Sequence, residues 1–402
     1  MESNNIKDLY KSPDLSKNSY KTNDNEQDGL ILSLTKRKDP EAMRISRYLS
    51  MSDLSRKDES PLKEIIDKVL SLPTFRKFDV ITIPEIVPAS ESFDLFNFPP
   101  EHPARSKSDT YYVDDKNILR THTTVMWYYY IGLPEIREKI LNNKILGVVS
   151  YGKVYRKDEI DRRHMNIFHQ IDGLFLCPKS SHEVSQQDLK DVLTEVAQGV
   201  FGQNIKIRFN QDTFPYTHQS LEMEADKNSI SGEGKEEWVE LLGAGIVEPK
   251  VLEKLGVDPE KYNGWAFGFG LERLAIISME LPDIRLLWSD DARVTKQLKM
   301  GQKFVEVSKF PPIVRDISFL VKNDFIPNNY FDLVRDLAPG LVEGVELLDK
   351  YENSEKFGLG IISYTYRITY RSLDRTLTNE EIDSLHKKLE DITRETYNAT
   401  VR

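Results

Sequence analysis

The segment at residues 264–273, Gly-Trp-Ala-Phe-Gly-Phe-Gly-Leu-Glu-Arg, constrains the fold more than any other part of the sequence. Its three glycines let the backbone approach a ligand closely, and a mostly apolar helical pattern, 274–279, begins where they end. A helix start favours an anion, and Arg273 adds a planar, permanently charged fork that suits phosphate. The segment therefore predicts either a nucleotide phosphate site or a glycine-rich turn with a surface arginine.

Composition limits the class of protein. The 402 residues suffice for two or three domains, and the 39% hydrophobic and 30% charged fractions are ordinary for a soluble globular protein. Because the net charge is −10, nucleic-acid binding would need a locally basic surface. The single cysteine, Cys177, excludes a disulfide framework and fits a reducing compartment. No apolar run approaches the ~20 residues of a membrane span, so we expect no membrane partner.

The order of predicted elements indicates an α+β protein with more than one domain. Residues 1–59 are rich in Ser, Asn, Lys and Asp, and we expect a mobile extension with one short helix near 40–50. Residues 60–300 place short strands in blocks among a few long helices, which favours an antiparallel sheet. Residues 308–402 follow the order strand, helix, strand, strand, helix, which suits a ferredoxin-like module.

Two helix starts and two strands have clear local signals. Ser60 followed by Pro61 predicts a helix start, and Ser185 is expected to cap a helix that continues to Phe201. Residues 145–155 and 167–176 are predicted to form neighbouring strands joined by a charged loop.

The loop between those two strands brings cations close to an aromatic ring. Arg156 ends the first strand, His164 lies in the loop, and Phe168 opens the second strand. A nucleotide needs cations for its phosphates and an aromatic face for its base. The loop therefore offers a nucleotide site, with a charged surface hairpin as the alternative.

Two further groups are candidates for small-ligand contacts. His122 lies among threonines that supply donors and acceptors, although such a stretch is also typical of an edge strand. Phe214 and Tyr216 would line an aromatic pocket or belong to the core. Acidic residues such as Glu240 would hold Mg²⁺ through oxygen ligands or form a solvated face.

Taken together, these segments resemble the phenylalanyl class II aminoacyl-tRNA synthetases in their single-chain, mitochondrial-type form. The resemblance extends from about Pro61 to Arg402. It rests on residues 102–105, 109–112, 119–123, 154–161, 168–170, 214–217, 264–273, 282–286, 316–319 and 366–371. The last two segments look like the family's anticodon-binding domain.

The resemblance implies a fold and a two-step reaction. The implied fold is α+β, with a class II antiparallel sheet flanked by helices and a C-terminal ferredoxin-like anticodon-binding domain. The family joins phenylalanine to ATP, which gives an aminoacyl-adenylate and pyrophosphate, and then moves the aminoacyl group to the 3′ end of tRNA. The implied ligands and partners are ATP, Mg²⁺, phenylalanine and the phenylalanine tRNA, and the implied enzyme is a monomer.

The resemblance also assigns roles to individual residues. In the ATP site, Arg156 bridges the substrate carboxylate and the α-phosphate, Arg273 holds the γ-phosphate, His164 lies near the outer phosphates, Phe168 stacks on adenine, and Asp158 and Glu240 contact Mg²⁺ or adenine. In the amino-acid site, His122, Thr124, Gln170 and Asp172 hold the ammonium group, and Phe214, Tyr216, Ala266 and Gly268 form the aromatic pocket. In the C-terminal module, the even spacing of Arg367, Arg371 and Arg375 predicts one basic stripe for tRNA, with Tyr364, Tyr366 or Tyr370 as stacking platforms.

Four residues around the amino acid depart from the family pattern. Trp127 takes the place of an amide close to the bound amino acid, and Thr124 takes the place of a serine. Asp172 is one methylene shorter than the usual glutamate, and Tyr216 adds a hydroxyl to the usual phenylalanine. Since a lost or added buried polar group can change discrimination by orders of magnitude, these departures predict a reshaped amino-acid site.

Three functions remain open from the sequence. The first is a phenylalanine–tRNA ligase, and the second is a related enzyme that activates another amino acid or acylates an acceptor other than tRNA. The third is a non-catalytic RNA-binding protein. The acidic N-terminal residues do not look like a presequence, so we expect a cytoplasmic protein, with the mitochondrial matrix or another organelle as the alternative.

Overall fold

A computed structural model describes residues 5–22, 25–157, 164–231, 234–325, 327–338, 341–372 and 374–402. The chain divides into two compact units, Met1–Phe304 and Val305–Arg402. This division lies inside the interval between the two predicted domains. Within the described ranges, no helix combines the length and apolar character that a membrane crossing requires.

The strands and helices of the described residues are as follows. The strands are β1 (Ser19–Lys21), β2 (Asp79–Thr82), β3 (Ile86–Pro88), β4 (Asn117–Leu119), β5 (Leu146–Tyr155), β6 (Ile167–Pro178), β7 (Ile207–Gln211), β8 (Thr217–Asp226), β9 (Trp238–Val247), β10 (Tyr262–Gly270), β11 (Ile313–Lys322), β12 (Val342–Glu352), β13 (Ile361–Tyr370) and β14 (Thr400–Val401). The helices are α1 (Ile6–Leu9), α2 (Asn25–Lys36), α3 (Pro40–Ser50), α4 (Pro61–Ser71), α5 (Ala89–Phe93), α6 (Met126–Gly132), α7 (Pro134–Leu141), α8 (Gln186–Phe201), α9 (Asn228–Ser231), α10 (Pro249–Lys254), α11 (Leu271–Met279), α12 (Ala292–Thr295), α13 (Pro327–Leu337), α14 (Ser354–Phe357) and α15 (Asn379–Tyr397).

The first unit is built on a large, mostly antiparallel sheet in the order β1-β2-β5-β6-β10-β9-β8-β7. The pairs from β5 through to β7 are antiparallel, whereas β1–β2 and β2–β5 are parallel. Helix α4 packs against α8 and α11, and these two helices pack against strands of the sheet. The predicted α+β architecture, with an antiparallel sheet flanked by helices, is confirmed.

Capping residues determine where the two predicted helices begin. The Ser60 side chain accepts a hydrogen bond from the backbone of Leu62, directly before α4. Ser185 and Asp188 form a capping box, in which each side chain binds the other residue's backbone N–H, at the start of α8. These local contacts satisfy helix N–H groups that would otherwise lack partners.

The described part of residues 1–59 is packed on the first unit, contrary to the mobile extension that we expected. Tyr10 is 4% exposed, and its hydroxyl accepts a hydrogen bond from Trp265 Nε1 at 3.0 Å. The rings of Phe78 and Phe175 meet Tyr10 edge-on. Tyr10 follows Ile6 and Leu9 at helical spacing, and both of these are also buried, so this short apolar pattern was the available signal in the sequence.

The second unit is a four-stranded antiparallel sheet in the order β12-β13-β11-β14. Helices α13 and α15 contact each other, and they pack against β12 and β11 respectively. Alternate residues of β13 are buried in the core between sheet and helices, including Tyr364, Tyr366 and Tyr370. The predicted ferredoxin-like module is confirmed.

Candidate active site

A cavity of about 870 Å³ lies in the first unit, between the ends of β5 and β6, the strands β9 and β10, and the start of α11. It brings together residues predicted for the ATP site, the nucleotide half, and those predicted for the amino-acid site, the amino-acid half. The predicted residues that line it are His122, Thr124, Arg156, His164, Phe168, Gln170, Asp172, Phe214, Tyr216, Glu240, Ala266, Gly268 and Arg273.

Arg156 lies at the junction of the two halves. It follows β5 directly, and its guanidinium carbon lies 5.2 Å from the centroid of the Phe168 ring. Its Nε donates a hydrogen bond to the Thr121 carbonyl at 3.3 Å. Its positive charge adds to burial in lowering the pKa of His122, and it opposes the burial that raises the pKa of Asp172. This position suits a cation that neutralises charge where a carboxylate meets a phosphate.

Arg273 and Glu240 form the far end of the nucleotide half. Arg273 lies in the first turn of α11, and Gly270 is the N-cap residue of this helix. Its Nη1 donates to the Glu240 carbonyl at 3.0 Å and lies 3.2 Å from the Glu240 carboxylate. The helix start and the guanidinium together form an anion site. His164 lines the same cavity with an exposed side chain.

Of the two carboxylates predicted to bind Mg²⁺, the described residues contain one, Glu240. Asp158, the other predicted ligand, lies outside the described residues. Across the described ranges, no three or more His, Cys, Asp or Glu side chains form a group that could hold a metal ion. Mg²⁺ that accompanies a nucleotide usually has one or two carboxylate ligands and takes its other oxygens from phosphate and water. Glu240 fits such a site as one carboxylate.

Asp172 is the buried charge of the amino-acid half. It lies on β6, is 3% exposed, and accepts hydrogen bonds from the hydroxyls of Thr123 and Thr124. Burial raises the pKa of Asp172 to about 6, although the two hydroxyls and Arg156 act in the opposite direction. Gly268 is its partner on β10, and a Cβ there would lie 2.6 Å from Asp172 Oδ1. A side chain at position 268 would therefore displace the carboxylate.

Gln170 and His122 complete the polar side of the amino-acid half. Gln170 Oε1 is buried and has no hydrogen-bond partner among the described residues. An unpartnered acceptor in a cavity suits an ammonium donor from a ligand. Burial and the Arg156 charge lower the pKa of His122 to about 3, so its imidazole is neutral near pH 7. The His122 ring stacks on Phe98 at a centroid distance of 6.2 Å.

The aromatic side of the cavity is a layered set of rings. Phe214 stacks on Tyr216 at a centroid distance of 5.9 Å, and Tyr216 contacts the rings of Phe96 and Phe98. Burial and the nearby Asp172 charge raise the pKa of Tyr216, so its hydroxyl is protonated. A Cβ at Gly243 would lie 2.5 Å from the Phe214 ring. The flat, apolar walls suit an aromatic side chain.

Trp127 was expected in the amino-acid site, but the structure places it in the core instead. It is the second residue of α6, is 0% exposed, and does not line the cavity. Its ring meets Phe96 and Tyr216 edge-on, at centroid distances of 5.3 Å and 6.2 Å. Its Nε1–H has no partner in the described part of the chain. Trp127 therefore supports the wall behind Tyr216, because the inner face of α6 is directed into the core.

Three residues that shape the cavity were not predicted from the sequence. Phe98 lies in a proline-rich loop without periodic signals, and Thr123 was treated only as a neighbour of His122. Glu272, which lines the cavity and is 3% exposed, occupies a helix position where a solvated carboxylate is common. The available signal for Glu272 was its place in the Gly-Leu-Glu-Arg segment, directly before the predicted phosphate ligand Arg273.

The predicted tRNA stripe in the second unit consists of arginines that each contact a carboxylate. These contacts are Arg367 with Asp316, Arg371 with Glu343, and Arg375 with Glu381. The expectation that Tyr364, Tyr366 or Tyr370 stack on bases is wrong, because their rings are buried in the core. A tRNA role for the three arginines stays a prediction.

Comparisons with known proteins agree with this arrangement. Residues 47–298 match the family described as tRNA synthetases class II core domain (F), and residues 308–402 match the ferredoxin-fold anticodon binding domain. The chloroplastic/mitochondrial phenylalanine–tRNA ligase of Arabidopsis thaliana is 36% identical over 339 residues, covering 82% of this chain and 73% of that protein. The mitochondrial phenylalanine–tRNA ligase of Mus musculus is 33% identical over 356 residues, covering 79% and 74%. That of Saccharomyces cerevisiae is 31% identical over 400 residues, covering 81% and 83%. The chain belongs to the phenylalanine–tRNA ligase family of class II aminoacyl-tRNA synthetases.

Proposed function

We propose that the protein attaches phenylalanine to tRNA in two steps, through an aminoacyl-adenylate made from phenylalanine and ATP. The observation that carries this proposal is the single cavity lined by both sets of residues, with Arg156 between them. A site that only bound a nucleotide would not need a buried carboxylate and an aromatic wall beside the phosphate end.

In the first step, a carboxylate oxygen of phenylalanine attacks the α-phosphorus of ATP. The bond from that phosphorus to the bridging oxygen breaks, and pyrophosphate leaves with the bond's electrons. Arg156 neutralises the charge that gathers between carboxylate and α-phosphate, while Arg273 and the start of α11 hold the outer phosphates. Mg²⁺, when bound beside Glu240, would neutralise further phosphate charge. The chain acts by positioning and electrostatics, without a covalent enzyme intermediate.

The amino acid is held by its two ends. Its ammonium group donates to Gln170 Oε1 and faces the Asp172 carboxylate, and its ring packs against Phe214 and Tyr216. In the second step, a hydroxyl at the tRNA 3′ end attacks the activated carbonyl, AMP leaves, and the hydroxyl proton is released. The second unit would bind the anticodon, and we propose that a single chain carries out both steps.

The names of the relatives bear on the compartment. The cytoplasmic expectation has no support among the three relatives above, which are named as mitochondrial or chloroplastic enzymes. We therefore propose an organelle, which fluorescence microscopy of the tagged chain in its own cell would test.

The test of the function is ATP–pyrophosphate exchange in the presence of each of the twenty amino acids. Exchange with phenylalanine alone supports the ligase, exchange with another amino acid supports the related enzyme, and no exchange with any would contradict both. Arg273→Ala should reduce exchange by about a hundredfold or more, because a preorganised charged contact is lost. Arg44→Ala is the matched control, since Arg44 is 42% exposed and paired with Glu41, much as Arg273 is 43% exposed and paired with Glu240. Exchange near the parent rate in Arg273→Ala would refute its role.

A further inference from the structure

His169 is a buried histidine that the proposed mechanism does not use. It lies on β6 between Phe168 and Gln170, which line the cavity. Because side chains alternate along a strand, His169 points to the opposite face of the sheet, where it is 0% exposed. Its ring has three polar neighbours: Nδ1 lies 2.6 Å from Glu272 Oε1, and Nε2 lies 2.9 Å from the Leu54 nitrogen and 3.4 Å from Asp53 Oδ1.

The contacts with Leu54 and Glu272 determine which ring nitrogen carries the proton. The Leu54 backbone N–H is a donor, so His169 Nε2 is the acceptor. Nδ1 then carries a hydrogen and donates it to the Glu272 carboxylate. The ring therefore has one donor and one acceptor, and each has a different partner.

Glu272 continues the strand pairing where β10 ends. The ladder between β10 and β6 stops at Gly270 and Gln170. The next backbone N–H of β6 belongs to His169, and it donates to both Glu272 oxygens, at 3.0 Å and 2.9 Å. Glu272 thus attaches the first turn of α11 to the strand that carries Phe168. Since Arg273 follows directly, its position relative to that strand depends on this attachment.

The opposite side of His169 is attached to the segment after α3. Lys153 is the cross-strand neighbour of His169 on β5 and is 2% exposed. Its ammonium group donates to the carbonyls of Leu49 and Met51, at 2.9 Å and 2.7 Å. The segment from Leu49 to Leu54 is therefore fixed to both strands that lead to the nucleotide half.

We propose that His169 is a positioning residue for the nucleotide site. Its Nδ1–H orients the Glu272 carboxylate, which fixes the start of α11 and places Arg273 opposite Phe168. The inference rests on the proposed function, because that function assigns the outer phosphates to Arg273. The contact with Leu54 holds the ring in this orientation. The contact with Glu272 affects nucleotide binding through the position of Arg273.

Two substitutions separate the two contacts. In His169→Asn, the side-chain amide reaches the place of Nδ1 and can donate to Glu272, but it offers no acceptor to Leu54. In His169→Gln, the amide oxygen reaches the place of Nε2 and can accept from Leu54, but the donor to Glu272 is lost. The two variants are matched in polarity and differ in which contact they keep.

The measurement is Mg·ATP affinity by isothermal titration calorimetry without amino acid, together with the KM values for ATP and phenylalanine in pyrophosphate exchange. His169→Gln should weaken Mg·ATP binding and raise the KM for ATP by about tenfold, as expected for a lost hydrogen bond to a charged group. His169→Asn should stay within about threefold of the parent protein. The KM for phenylalanine should change in neither variant by more than about twofold, because the Glu272 contact acts on Arg273.

Equal ATP affinity in the two variants, or a larger effect in His169→Asn, would overturn the proposal. So would a larger change in the KM for phenylalanine than for ATP, or a parent protein that does not bind Mg·ATP. If the parent protein shows no exchange but the calorimetric pattern holds, the positioning role stands and the proposed ligase function fails. If exchange occurs and the calorimetric pattern is absent, the positioning role alone fails.

Discussion

Replacing Trp127 with glutamine tests whether this indole belongs to the amino-acid site or to the core. Glutamine is the residue that the family pattern places at this position, so a drifted site would regain affinity for phenylalanine. In the structure, however, the indole is fully buried and supports Phe96 and Tyr216. We therefore expect Trp127→Gln to destabilise the protein and to weaken the binding of phenylalanine.

The size of the effect follows from burial of the Trp127 side chain. A buried tryptophan removes about 150–250 Å² from water, worth about 4–6 kcal/mol at about 25 cal/mol/Å². Glutamine keeps two methylene groups, worth about 1.6 kcal/mol in the same setting. The unpartnered Nε1–H of Trp127 is removed, but the glutamine amide is equally short of partners, and these two effects roughly cancel. The expected loss in the free energy of unfolding is about 3 kcal/mol.

The assay is urea denaturation followed by circular dichroism, paired with the KM for phenylalanine in pyrophosphate exchange. Trp127→Phe is the control, because it keeps an aromatic ring against Tyr216 and removes the unpartnered N–H. Its loss of stability should be less than half that of Trp127→Gln. If Trp127→Gln stayed within about 0.5 kcal/mol of the parent protein and lowered the KM for phenylalanine, the core assignment would be refuted.

Three further predictions concern named contacts. Below about pH 6, kcat/KM for phenylalanine should fall about tenfold per pH unit, because protonation of Asp172 removes the negative charge that faces the ammonium. Asp172→Asn should be less active and lack this slope, and an unchanged slope would assign it to another group. Gly268→Ala should raise the KM for phenylalanine by at least about tenfold with little change for ATP, because the methyl group displaces Asp172; a larger change for ATP would contradict this. Tyr10→Phe should lower the free energy of unfolding by about 1–2 kcal/mol in urea denaturation, since Trp265 Nε1–H loses its buried acceptor; an unchanged value would show that this bond contributes nothing.

The elements with local signals were predictable from the sequence. α8 begins after the expected cap at Ser185 and ends at Phe201, as predicted. The strand predicted at 145–155 is observed as β5, and the predicted neighbouring strand is β6, which ends two residues later than expected. Both strands are almost wholly buried, and each contains a short apolar run, at 145–149 and 174–177, that is easily recognised.

The predictions that were wrong concern contacts between residues that are far apart in the chain. Tyr10 is buried against Trp265 and Phe175, and the short apolar pattern at residues 6–10 does not identify these distant partners. The role of Trp127 depends on whether its side chain lines the cavity, as that of Tyr216 does, or supports the cavity wall, a difference that spacing does not reveal. A sequence motif can identify the residues of a site, but the packing of distant elements determines which of them face the ligand.

The residues that depart from the family pattern contact one another, and this bears on which of the three functions is correct. Thr124 donates to the shorter Asp172, and Trp127 packs against Tyr216. Each of these changed side chains has a changed neighbour, which independent decay of single positions does not predict. The buried Asp172 also costs stability: raising its pKa from 3.8 to about 6 costs about 3 kcal/mol at pH 7, where the folded protein must hold it ionised. A non-catalytic RNA-binding protein gains nothing from that cost, whereas an enzyme that binds an ammonium group does, so the structure favours an amino-acid-activating enzyme with a jointly reshaped pocket.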